Sequence, residues 1–198
     1  MNETKAASAA RNRVAAASSA MLEALAAPGP APEHADKLTL FGRLVGTWDV
    51  DDTHFEVGSA VTKRQRGEWL FGWVLNGRAI QDVLITPPRD VQRETGVPFG
   101  EYGTTLRFYD PKLDVWQVTY VAPVYGAIVK LVAKIDEDGN GIVMDGRAPE
   151  GAPDAGHRYR WTFSDITADF FRWRGYWSDD DGQMWHLDEE MLARRRAG

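Results

Sequence analysis

The sequence predicts an all-β chain: an antiparallel up-and-down barrel of about ten strands with an N-terminal helical extension. All eight tryptophans lie between Trp48 and Trp185, in segments that alternate polar and apolar residues. Turn signals separate those segments, at Asn76-Gly77, Asp110-Pro111, Asp138-Gly139 and Asp181-Gly182. Short alternating runs with hairpin punctuation indicate antiparallel strands. Large aromatics concentrated in a small barrel point to a lined cavity, since they supply apolar area with few rotatable bonds.

A chain of 198 residues holds one domain plus an extension. Residues 1–37 read as a helix followed by a Pro/Ala-rich linker, and 38–198 as the barrel. The net charge of −6 and pI near 5.2 argue against a nucleic-acid partner, which usually leaves a basic footprint. The chain has no cysteine, so disulfides and thiolate-bound metals are excluded, in keeping with a reducing, cytoplasmic compartment. No apolar run approaches ~18 residues, so no membrane span is expected.

Residues 1–27 are rich in Ala and Ser. Glu3 and Glu23 argue against a transit peptide, and no continuous apolar stretch forms a secretory signal. The spacing of Val14, Met21, Leu22 and Leu25 predicts a helix over 6–27 with one apolar stripe. Pro28-Gly29-Pro30 ends it. The stripe predicts docking on the barrel, or on a second copy in a homodimer.

A short helix or turn over 38–44 closes one barrel end ahead of Gly46-Thr47-Trp48. Strands are expected at 48–57, 61–75, 78–86, 102–109, 115–122, 127–135, 141–146, 157–164, 169–178 and 183–191. The connection 87–100, with Pro87, Pro88 and Pro98, is long enough to be a lid or binding loop. Arg194-Arg195-Arg196 reads as a solvated tail, and Asp179-Asp180-Asp181-Gly182 as an acidic hairpin turn.

Gly46-Thr47-Trp48 after a short helical turn resembles the calycin superfamily, which includes lipocalins, fatty-acid-binding proteins and nitrobindins. The run from Tyr102 to Pro111, the run from Arg160 to Ile166 and the run from Trp173 to Gly182 add to the likeness. Together they resemble a bacterial branch of calycin-like proteins over roughly residues 38–194. The resemblance implies a barrel that holds a small apolar or amphipathic molecule. It does not imply one chemistry.

Hairpin geometry then sorts the faces. A loop at 111–114 puts Tyr109 opposite Trp116 and Arg107 opposite Val118, with Tyr120 on the same face. An even-length loop after Ser164 puts Arg160 opposite Trp173, and a four-residue turn at 179–182 puts Trp177 opposite Met184 and Gly175 opposite His186. The interior is then expected to carry Arg107, Arg160, Trp173, Trp177 and His186. The two arginines would offer bidentate donors to a carboxylate, enolate or carbonyl group, and Gly175 would leave room for a ligand or another backbone. Changing any loop by one residue exchanges the faces.

Asp52, His54 and Glu56 alternate on strand one. That pattern suits a solvated outer face, a polar pocket group, a divalent-metal site, or a base with its orienting partner. His186 lies on the last strand, where the nitrobindin-like barrels carry a haem-ligating histidine; the Gly-x-Trp-x-Gly start of those proteins is broken here by Asp49 and Val50. No nucleophile elbow or phosphate cradle occurs, and no metal or cofactor is expected. The leading expectation is a barrel that binds a small apolar or aromatic molecule with one polar end. Its walls would be Trp73, Tyr109, Trp116, Tyr120, Trp173 and Trp177, its orienting groups Arg107, Arg160 and His186. The alternatives are a cyclase or isomerase of a polyketide-like or terpenoid substrate, using His186 or His54, and a haem-binding barrel.

Overall fold

The structure, a computed structural model, describes residues 2–58, 60–96 and 100–197, with the backbone alone for 2–13. It contains the helices α1 (Asn2–Leu25), α2 (Ala35–Gly42) and α3 (Arg89–Thr95). The strands are β1 (Gly46–Phe55), β2 (Val61–Val74), β3 (Ala79–Thr86), β4 (Glu101–Asp110), β5 (Val115–Ala122), β6 (Ala127–Ile135), β7 (Ile142–Arg147), β8 (Arg158–Ser164), β9 (Phe170–Ser178) and β10 (His186–Arg195). Each strand pairs antiparallel with its sequence neighbour, and β1 pairs with β10, so the ten strands close into one barrel without an edge. The fold is the up-and-down barrel that the alternation predicts. Among the described residues no helix is long and apolar enough to cross a membrane.

The inner wall follows from the register. Trp48, Val50 and Asp52 of β1 face inward, as do Trp69, Phe71 and Trp73 of β2, and their partners on β3 are Leu84, Asp82 and Ile80. One end is solid. Leu38 and Phe41 of α2, with Leu44 just beyond it, are buried there. The Phe41 ring meets Trp116 edge-on at 4.9 Å and Phe163 at 6.2 Å. Trp69, Phe71, Phe163 and Phe171 complete an aromatic cluster above the helix, in tilted and edge-to-face pairs.

Helix α1 departs from expectation. Val14, Met21 and Leu22 are exposed, so the stripe does not dock on the barrel. The C-terminal end is tied down, where Leu75 N donates to Leu25 O at 3.0 Å and Ala27 N donates to Trp73 O at 2.9 Å. The following segment packs closely: Ala31 is buried and Ala31 N donates to Gly77 O at 2.9 Å. A Cβ at Gly77, which has φ +76°, would meet the 29–31 backbone within 2.8 Å, so only glycine fits.

The 87–100 connection, of which residues 97–99 lie outside the described residues, carries α3, which lies on the outer wall. Arg89 there donates through Nε and Nη2 to the buried carboxylate of Glu68, and none of the connection's described residues borders an interior cavity. The three C-terminal arginines are not a solvated tail. Arg194 pairs with Asp51, Arg195 lies 4.0 Å from the Trp48 ring, and Arg196 pairs with Asp49. Arg195 also donates to Val45 O at 2.9 Å, which ties β10 to the helical plug.

Candidate ligand-binding site

A cavity of about 200 Å³ lies inside the barrel beyond the aromatic cluster. Its apolar wall is Trp69, Leu84, Trp161, Trp173 and Met191, and its polar wall is His54, Glu101, Thr105, Tyr120, Asp188 and Glu189, with Asp82 and Arg107 at its floor. A second cavity of about 380 Å³ adjoins it, shares Trp161, Trp173, Asp188 and Glu189, and is bounded further by His157, Tyr159, Gly175 and Trp177. A further depression of about 720 Å³ lies at the plugged end, between α2 and β4–β6, and is bordered by the inner-face residues Tyr109, Trp116 and Ala133.

The floor is a closed ion pair. Arg107 Nη1 donates to Asp82 Oδ2 at 2.5 Å, and Asp82 Oδ1 also accepts Thr105 N at 3.1 Å. The Arg107 guanidinium lies 5.3 Å from the Phe41 ring and 5.4 Å from Phe71, so it is stacked as well as paired. Its charge is already met inside the protein.

The polar wall centres on Asp52, His54 and Glu189, whose ligand atoms lie within 4.8 Å of one another. His54 Nε2 is 3.0 Å from Asp52 Oδ2 and 3.8 Å from Glu189 Oε1. Gln65 Nε2 donates to Asp52 Oδ2 at 2.7 Å, while Asp52 Oδ1, fully buried, has no partner in the protein. Burial opposes ionisation of Asp52, but the hydrogen bonds from His54 and Gln65 outweigh it and hold the carboxyl below its ordinary range. The same hydrogen bond raises the His54 imidazole. Glu189 is pushed the other way, well above the carboxylate range, by burial and then by the charge of Asp52. Across the cavity the Tyr120 hydroxyl donates to Glu101, and burial followed by that bond holds the phenol strongly protonated.

The sequence-predicted site residues divide into groups. Arg107, Tyr120 and Trp173 border the inner cavity, and Trp177 borders the outer one. Trp73, Tyr109 and Trp116 are on the inner face but at the plugged end. There Trp116 packs on Phe41, the Trp73 ring covers Gly42, and Tyr109 bonds Asp114 at 2.7 Å. His186 touches Trp177, with ring centroids 4.5 Å apart, and borders neither cavity.

Arg160 is a correction: it lies on the outer wall, paired with Asp145 at 2.7 Å and stacked on Trp185 at 4.5 Å. The β8–β9 connection sets Arg160 opposite Tyr176 and Phe163 opposite Trp173. That shifts the register by three positions, an odd number, and exchanges the faces of β8. Trp161 enters the cavity in place of Arg160. The β9–β10 loop is also longer than four residues. Ser178 Oγ accepts Gly182 N at 2.9 Å and Asp180 Oδ1 accepts Met184 N at 2.8 Å, so pairing resumes only at His186 opposite Trp177. A bulge between Leu187 and Glu189 then turns Glu189 and Met191 inward and leaves Glu190 outside, paired with Arg174.

No family model matches this chain, and no curated protein matches it. The fold has a solved counterpart. The S-type phycobiliprotein lyase from Guillardia theta superposes with a TM-score of 0.53 over 81% of this chain and 92% of that chain, at 10% identity. At that identity the likeness shows the fold alone, a closed antiparallel β-barrel.

Sequence reasoning missed Trp69, Trp161, Glu101 and Glu189. The alternation Trp69-Leu-Phe71-Gly-Trp73 carried the signal for the first. Glu189 had none, because a bulge decides its face. Asp52 and His54 stood out as an alternating pair; the third member is Glu189 across the β1–β10 ladder, which pairs with His54, and not Glu56. A haem does not fit these residues. His186 is off the cavity, and the cavity histidine, His54, is held by Asp52.

Proposed function

We propose that the chain binds a small, largely apolar or aromatic molecule in the open half of the barrel, with its polar end at the Asp52–His54–Glu189 wall. The observation that carries this is the pairing of three indoles, Trp69, Trp161 and Trp173, with a convergent polar cluster around one space. Apolar walls with a few placed polar groups are the general form of a small-molecule site. Trp69 adds a buried indole N–H without a protein partner, a donor that an occupant can satisfy. The similar barrel of a phycobiliprotein lyase supports the scaffold as one that hosts small-molecule work; the residues here carry the reading.

The test is a titration with 2-naphthylmethanol followed by tryptophan fluorescence, beside native mass spectrometry of the chain purified from its source. Saturable one-to-one binding, or an organic molecule that co-purifies, supports the reading. No saturable response together with no co-purifying molecule overturns it.

A second reading, a cyclase or isomerase, is favoured by one observation. The His54 imidazole faces the cavity with Asp52 at 3.0 Å as its orienting partner and Glu189 beside it, a geometry able to move a proton on a bound molecule. A co-purifying molecule offered back to the protein and to His54→Gln would separate the two. Turnover lost with binding kept assigns catalysis to His54, and no turnover by the native chain leaves binding alone.

A further inference from the structure

Resting on the reading that the cavity binds an organic molecule, we infer that its occupant is a cation: an aromatic or alicyclic amine whose ammonium group sits among Glu101, Asp188 and Glu189.

The argument is a charge count along the wall. Asp82, Glu101, Asp188 and Glu189 border the inner cavity, and Asp52 stands directly behind His54. The basic groups among the described residues of the wall are Arg107 and His54 alone. Arg107 is consumed by Asp82, and His54 is bonded to Asp52. Glu101 has a phenol for a partner, and among the described residues Asp188 has no basic side chain within ion-pair distance. Acidic groups gathered without free basic partners are costly to keep ionised, and a guest with several N–H donors relieves that cost.

The body of such a guest is also provided for. Trp161 and Trp173 stand edge-on to one another at 5.5 Å, and Tyr120 and Trp161 at 5.4 Å. Indole and phenol faces attract a cation within about 6 Å. The unpaired N–H groups of Trp69 and of Arg107 Nε can accommodate a hydroxyl or carbonyl oxygen on the same molecule. They do not make an anion site, because the guanidinium charge is cancelled by Asp82. This reverses the expectation from sequence, in which Arg107 and Arg160 together would receive a carboxylate or enolate. One of the two is neutralised and the other is outside.

The experiment compares three probes of one shape on the full chain at pH 7: 2-naphthylmethylamine, 2-naphthylmethanol and 2-naphthoate. The amine should bind at least tenfold tighter than the carboxylate and tighter than the alcohol. Glu101→Gln should remove the amine's advantage while alcohol binding stays within a few-fold. If that variant does not fold, Asp188→Asn serves the same purpose. Equal or tighter binding of naphthoate, or an amine preference unchanged in both variants, overturns the inference and leaves cavity binding standing. Binding of none of the three overturns cavity binding and this inference with it. Stoichiometric Zn2+ binding that needs His54, with no amine binding, also overturns it and assigns the cluster to a metal ion.

Discussion

Arg107 and Asp82 meet at 2.5 Å inside the barrel, each 1% exposed, on adjacent strands β4 and β3. Two charges so far from water survive only because each neutralises the other and Asp82 also takes the Thr105 amide. Removing one partner strands the other. Asp82→Asn should therefore destabilise the chain by about 3–5 kcal/mol, the usual cost of breaking a buried pair. Replacing both by apolar residues of similar volume should cost far less. Urea denaturation of the two single variants and the double variant measures this directly; additive losses would show that the pair is not coupled.

Arg160 provides the contrast. Its pair with Asp145 is exposed on both sides, and exposed pairs contribute about 0–1 kcal/mol. Arg160→Met should lower stability by no more than about 1 kcal/mol and leave binding of 2-naphthylmethanol unchanged. A large loss of probe affinity in this variant would place the site on the outer wall.

Stability should fall as pH rises above the ordinary carboxylate value. Glu189 holds its proton more tightly in the folded chain than the ordinary value of 4.5 allows. Below that value both states are protonated and the contribution is complete; above it the unfolded chain has lost its proton and the folded one has not, so each further unit weakens folding by at most about 1.4 kcal/mol per group until the folded chain titrates too. His54, also raised, acts in the same direction above its ordinary value of 6.5. Asp52, lowered, opposes them only below pH 3.8. Chemical denaturation from pH 5 to 8 should show the descent in the native chain and a flatter profile in Glu189→Gln.

Gly175 borders the outer cavity, and the Trp173 ring lies across it: a Cβ there would be 2.8 Å from the indole. Gly175→Ala should push Trp173 toward the inner cavity and weaken 2-naphthylmethanol by several-fold with folding retained. Unchanged affinity would mean that Trp173 is not part of the binding wall.

Helix α1 should be dispensable, and the segment after it should not. A chain lacking residues 1–24 should keep its β-type circular dichroism and its melting temperature within a few degrees. A chain starting at residue 36 loses Ala31 and its bond to Gly77 and should melt distinctly lower. A dimer that becomes monomeric on the first deletion would assign the exposed stripe of Val14, Met21 and Leu22 to a partner copy.

The sequence by itself determined the element order, the up-and-down connectivity and the faces of the short hairpins. The β4–β5 pairing of Tyr109 with Trp116 and of Arg107 with Val118 is the one that the 111–114 loop dictates, because a short turn admits few registers. Tertiary structure decided the rest of the site. The β8–β9 and β9–β10 loops are held by side-chain-to-backbone bonds around Thr167, Ser178 and Asp180, which no alternation records. The odd shift at β8–β9 moved a whole strand's side chains through the wall, carrying Trp161 in and Arg160 out, and the bulge in β10 carried Glu189 in. Which end of the barrel is hollow was likewise set outside the strands, by α2 filling one mouth with Leu38 and Phe41. Local pattern fixes what a strand can present; the two-residue period of the pleat leaves the choice of side to loop lengths and bulges that close only in three dimensions.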